Sequence, residues 1–112
     1  MTYKKWDVVL LPFPFSNQSI IKKRPGLILS PNRAINEKFD IVIAFMTSNM
    51  ASPPRIGDIQ LMDWKKENLP KPTMVRMKFA TIEYSMILKR LGQLSAKDQN
   101  AVQKELKSFF TL

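Results

Sequence analysis

Asp40-Ile41-Val42-Ile43-Ala44-Phe45-Met46-Thr47 is the stretch on which the fold turns. Four β-branched residues and an aromatic in so short a run suit a pleated, buried strand, and helices generally need about 10 to 12 residues or more. The polar Ser48-Asn49 closes it. Upstream, Pro25-Gly26-Leu27-Ile28-Leu29-Ser30 reads as a second buried strand, ended by Pro31-Asn32. Asp7-Val8-Val9-Leu10-Leu11-Pro12-Phe13-Pro14-Phe15 reads as the first; its two prolines lack ladder donors, so this strand must finish at an edge or a bend. Downstream, Pro53-Pro54, Gly57 and Pro70-Lys71-Pro72 mark loops around a short strand, Asp58 to Met62. Thr73 to Met77, Thr81 to Glu83 and Ile87 to Leu94 supply the remaining strand-like segments. Ser95, with an acid three residues on at Asp98, makes a capping-box-like helix start. Val102, Leu106, Phe109 and Phe110 then recur at helical spacing, so one helix is expected from about Ala96 to Phe110. Short strands, Pro/Gly punctuation and one terminal helix predict a mainly β fold: a small, partly open β-barrel with the helix packed on one side, residues 1–112 forming a single domain.

Composition narrows the chemistry. Eighteen Lys and Arg against nine Asp and Glu give a formal charge of +9 and a pI near 10.1. A polyanion, nucleic acid first, is the expected partner. The bland alternative is a charge that only keeps a small protein soluble. A membrane surface calls for a basic amphipathic helix, whereas the terminal helix carries both signs of charge. With no His and no Cys, there is no Ser-His or Cys-His nucleophile pair, no imidazole acid or base, no disulfide and no thiolate metal site. The carboxylates are scattered, so metal-free catalysis is expected, without cofactor. No apolar run approaches the roughly 18 to 20 residues of a membrane span. A soluble, unprocessed, cytoplasmic protein with no membrane partner is the expectation.

Two segments invite a functional reading. Lys22-Lys23-Arg24-Pro25 places three cations directly before an apolar strand. A solvated basic loop is one reading; the other is that Pro25 fixes the backbone at a strand entrance and holds Arg24 in a defined place. Thr47-Ser48-Asn49 is equally a plain strand terminus or part of a site.

Taken together, the segments resemble the MazF/PemK toxin family. Trp6-Asp7-Val8-Val9-Leu10-Leu11 is similar to that family's opening strand, and Lys23-Arg24-Pro25-Gly26-Leu27-Ile28-Leu29-Ser30 to its basic-Arg-Pro strand. Ala44-Phe45-Met46-Thr47-Ser48-Asn49 is similar to its apolar strand ending in Thr-Ser, and Leu91-Gly92-Gln93-Leu94-Ser95 to the entry into its last helix. The likeness is weakest from Met50 to Pro72. It implies the SH3-like CcdB/MazF barrel, a homodimer, and a metal-independent endoribonuclease toxin of a type II toxin–antitoxin system, paired with an acidic antitoxin. The substrate implied is single-stranded RNA, cut by ribose 2′-OH attack to leave a 2′,3′-cyclic phosphate and a 5′-OH. Arg24 and Thr47 would be the catalytic residues. Such cleavage uses the substrate's own nucleophile and asks the protein mainly for charge stabilisation, which a forked guanidinium and a hydroxyl can give.

Phe15, Asn17, Gln18, Lys22, Lys23, Ser48, Asn49, Arg76 and Lys78 are the expected RNA contacts, with the loop from Ser16 to Lys23 a mobile lid over the groove. Phe15 would stack a base; Trp6, Phe13 and Trp64 fit core or dimer contacts better. Met77-Lys78-Phe79-Ala80-Thr81-Ile82 departs from the family's acidic-Gln-x-Arg segment, lacking both the acid and the Arg, with Arg76 nearby. Two other readings stay open: an enzyme-free binding module on the same barrel, either a gyrase poison of the CcdB branch or a chain that binds nucleic acid without cutting it, and a non-enzymatic SH3-like scaffold.

Overall fold

The computed structural model describes residues 2–14, 21–51 and 53–111. Phe15, Asn17 and Gln18 lie outside the described residues, as does most of the expected lid. Six strands form one antiparallel sheet: β1 (Asp7–Pro14), β2 (Ile21–Ile28), β3 (Asp40–Thr47), β4 (Ile59–Gln60), β5 (Met74–Glu83) and β6 (Lys89–Gln93). Their order is β4-β5-β3-β2-β1-β6, a curled half-barrel with two edges, and α1 (Ala96–Phe110) packs against it. No helix among the described residues is long and apolar enough to cross a membrane.

The apolar runs are nearly continuous because the inner strands are buried on both faces. Val8, Leu27, Ala44 and Met46 join Val102 of α1 in one core cluster. Val9, Leu11, Ile28, Ile41 and Ile43 join Tyr3, Ile35 and Ile87 in the other. β3 runs between the two cores, with adjacent Ile43 and Ala44 both buried on opposite sides.

The strand bounds differ from expectation in instructive ways. β2 starts at Ile21 rather than Pro25, because its basic residues go on pairing with β1: Leu11 with Arg24, Pro12 with Lys23, Pro14 with Ile21. Lys22, Lys23 and Arg24 are therefore strand residues with exposed side chains, and neither lid nor strand entrance. β6 covers β1 only as far as Leu10, so Pro12 and Pro14 stand where β1 has β2 as its remaining neighbour. Thr73 to Met77 and Thr81 to Glu83 are parts of one strand, β5. Its register slips against β3: Val75 pairs with Met46 and Phe79 with Ala44, leaving Arg76, Met77 and Lys78 opposite Phe45. A second bulge inserts Leu91 of β6 between the Val8–Gly92 and Val9–Arg90 pairs.

The helix start is built from three segments. Ser95 Oγ accepts the Asp98 N–H at 3.2 Å, as an N-cap should. The reciprocal half of the expected capping box is absent. Asp98, fully buried, instead accepts the N–H groups of Met62 and Asp63, both at 3.0 Å, while Glu67 Oε2 accepts the Ser95 N–H at 2.9 Å. Glu67 is also buried, and its other oxygen meets the Asp98 carboxyl rather than a donor. Burial first, then the hydrogen bond with Asp98, pushes the Glu67 carboxyl up to about 7. Below that value a proton shared between the two side chains ties residues 62–67 to the root of α1.

At the far end of β3, Asp40 pairs directly with Glu83 of β5. These two acids and Glu37 border a small hollow with Lys38, Tyr84 and Ser85.

Candidate active site

The β2–β3 ladder runs from Ile28–Ile43 through Leu27–Ala44 to Gly26–Phe45 and stops. Two residues further along each strand stand Arg24 and Thr47, where the strands part. A groove of about 1120 Å³ opens there. Lys23, Arg24 and Pro25 line it from β2, Phe45, Met46 and Thr47 from β3, and Ser48 and Asn49 from the following turn. Its other side is formed by Leu10, Lys78, Lys89 and Leu91 and by a lip comprising Asn68, Leu69, Pro70, Lys71 and Thr73.

At Gly26, two residues from Arg24, a Cβ would lie 2.8 Å from the end of the Leu11 side chain, which would have to shift to make room. Arg24 itself is fixed by its pairing with Leu11 rather than by proline at a strand entrance. The Thr47 hydroxyl oxygen accepts the Asn49 N–H at 3.1 Å, and Asn49 Oδ1 accepts the Ala51 N–H at 3.1 Å. Successive side-chain turns of this kind fix the rim and leave the Thr47 hydroxyl proton to be donated elsewhere.

Lys78 reaches the groove because of the β5 bulge, which turns it over the Phe45 ring, with Nζ 4.9 Å from the centroid. Arg76, two residues away, does not line the groove. Its guanidinium lies 3.6 Å from the Asp58 carboxylate, and both side chains are largely buried. Of the two cations on this strand it is Lys78 that stands near Arg24 and Thr47. Lys22 is exposed on β2 outside the groove.

The groove thus gathers Arg24, Thr47, Lys23, Ser48, Asn49 and Lys78. It also holds four polar residues that sequence reasoning passed over: Asn68, Lys71, Thr73 and Lys89. Lys71 sits between two prolines in a segment read only as loop, and Lys89 begins a strand read for its apolar positions. The basic pairs Lys22-Lys23 and Lys89-Arg90, on strands that both flank β1, were the available signal. Among the described residues, the lining comprises five cations and no carboxylate. Such a surface can bind a polyanion, place a guanidinium and a hydroxyl at one phosphate, and stabilise charge that develops there.

Solved structures share this architecture. A mycobacterial endoribonuclease in complex with its cognate antitoxin superimposes with a TM-score of 0.74 at 14% identity, over 96% of this chain and 93% of that one. MazF from Deinococcus radiodurans gives 0.74 at 17% identity, over 100% and 99%. The Mycobacterium tuberculosis toxin MazF-mt6 gives 0.71 at 18% identity, over 93% and 95%. At these identities the likeness establishes the fold. No curated protein sequence matches the chain. The family model for the PemK-like, MazF-like toxin of type II toxin–antitoxin systems matches residues 4–110. With all but the ends of its sequence matched, and the fold to go with it, the chain belongs to the PemK-like, MazF-like toxin family of type II toxin–antitoxin systems.

Proposed function

We propose that this protein is an endoribonuclease toxin that cuts single-stranded RNA in the groove where β2 and β3 part, with Arg24 and Thr47 as its catalytic residues. The observation that carries the reading is the meeting of a strand-fixed guanidinium and a turn-fixed hydroxyl in a groove lined, among the described residues, by five cations and no carboxylate. Family membership supports it, as does the description of a similar structure as an endoribonuclease bound to its cognate antitoxin.

The ribose 2′-oxygen attacks the adjacent phosphorus and loses its proton; the P–O5′ bond breaks and the 5′-oxygen gains one. The products are a 2′,3′-cyclic phosphate and a 5′-OH. Arg24 places its forked donors on two phosphoryl oxygens, and the Thr47 hydroxyl donates to developing charge. Arg24 acts as a stabiliser or proton donor, since a guanidinium stays protonated and makes a poor base. Lys78 adds positive charge beside them; Lys23, Ser48 and Asn49 contact the strand along the rim. Phe15, Asn17 and Gln18 complete the RNA contacts. The protein acts in the cytoplasm as a homodimer of single-domain chains, without metal or cofactor, and an acidic antitoxin segment blocks the groove.

Incubation of the purified protein with labelled single-stranded RNA in EDTA, followed by mapping of product ends, tests the reading. Cyclic phosphate and 5′-OH ends are expected. Binding without cleavage would make the protein a nucleic-acid-binding module instead.

A further inference from the structure

Lys71 and Lys89 lie in the groove, yet the chemistry given to Arg24 and Thr47 uses neither. Lys89 belongs to a row across three strands: Leu10 of β1 pairs with Lys89 on one side and with Pro25, next to Arg24, on the other. Two strand spacings, about 10 Å, separate the ends of that row.

Lys71 rises from a lip whose backbone is anchored. The Thr73 hydroxyl donates to the Lys71 carbonyl oxygen at 2.8 Å, and the Leu61 N–H donates to the Thr73 carbonyl at 3.0 Å. The Leu69 N–H donates to the Trp64 carbonyl at 3.0 Å. Asn68, in left-handed backbone at φ 63, donates its side-chain amide to the Leu91 carbonyl at 2.9 Å. Gly92 permits this close seating, since a Cβ there would come within 2.3 Å of the Glu67 carbonyl oxygen. Both ammonium groups therefore project from backbone that is already ordered.

Five cations around one groove repel each other, and among the described residues no carboxylate lines it to offset them. Seven of the nine acids lie elsewhere: Asp7 with Arg90, Asp58 with Arg76, Glu67 with Asp98, and Glu37, Asp40 and Glu83 at the opposite end of β3. An external anion can neutralise Lys71 and Lys89, and an ammonium group serves phosphate as a point charge without needing forked geometry.

We infer that Lys71 and Lys89 form a second phosphate subsite, which holds a phosphodiester flanking the one at Arg24 and Thr47. The groove then grips at least two phosphates of one RNA strand. This rests on the ribonuclease reading of the groove.

The test uses an RNA oligonucleotide made uncleavable by a 2′-O-methyl group at the mapped cleavage site. Its affinity is measured across a salt series for the wild type, Lys71→Gln, Lys89→Gln and the double variant, with thermal melts showing each folded. For single-stranded RNA the slope of log affinity against log salt should fall by about 0.7 in each single variant and about 1.4 in the double. Next, a neutral methylphosphonate replaces the linkage just 5′ or just 3′ of the cleavage site. At one of these positions it should weaken binding to the wild type and leave the double variant unaffected. Slopes that do not change, or neutral linkages that weaken both proteins equally, overturn the inference alone, as does loss of affinity for an acidic peptide with RNA affinity intact. A wild type that neither binds nor cuts RNA overturns the ribonuclease reading and this inference with it.

Discussion

At Thr47 the oxygen already serves the Asn49 N–H, so the proton is what the hydroxyl has left to give. Thr47→Val keeps the shape and removes that donor. Losing one preorganised donor to a developing oxyanion generally costs about 2.7 to 4 kcal/mol, so single-turnover cleavage should slow roughly 100- to 1000-fold. Arg24→Lys retains charge but loses the fork, and should be impaired nearly as much as Arg24→Ala, with RNA binding better preserved than cleavage. Near wild-type cleavage by both Arg24→Lys and Thr47→Val, in EDTA and with saturating enzyme, would remove them from the chemistry. That these two residues share a groove was legible in the sequence because each sits beside a recognisable apolar strand. Lys71 and Lys89 were not, because their meeting depends on the lip folding onto β6, and no local pattern encodes that contact. Arg76 and Lys78 show the same limit. They are separated by one residue, and only the bulge decides that one joins the Asp58 ion pair and the other the groove.

Among the elements, α1 was read with its bounds intact, since Ser95 announces the start and the apolar spacing supplies the rest. β3 was equally plain. β2 starts earlier than its apolar run suggests, because three cations resemble a loop although a strand end with solvent-facing side chains accommodates them. The bond between α1 and residues 62–67 was invisible, for it joins two carboxyls distant in sequence. It has a pH consequence. Glu67 ionises near 7 in the folded protein, against an ordinary value of 4.5, so the folded chain holds a proton that the unfolded chain releases over that interval. This contribution to stability is full below about pH 4.5, declines as pH rises to about 7, and is level above that, a difference of order 3 kcal/mol. Glu67→Gln keeps an acceptor for the Ser95 N–H and supplies a permanent N–H donor to Asp98. Thermal or urea melts should show the wild type losing stability from pH 5 to 7.5 relative to the variant. Parallel pH profiles for the two proteins would refute the shared proton.

For the molecule as a whole, the charge of +9 was the clearest message of the composition, and the structure concentrates part of it in one groove. An acidic antitoxin segment and an RNA strand should therefore exclude each other. Titrating a cognate acidic peptide into a complex of protein and fluorescent RNA should displace the RNA completely, and a stable ternary complex would disprove the shared groove. The open barrel and its helix were legible because strand runs and punctuation recur along the chain. How the sheet curls was not, since curvature arises from bulges that no single segment specifies. β3 joins the basic groove at Thr47 to the acidic hollow at Asp40, and at strand rise these ends lie about 23 Å apart. Opposite charges at that separation make the protein an electric dipole. In the field of an RNA strand it experiences a torque before any contact forms, so encounters arrive groove-first and fewer collisions are wasted on the back of the molecule.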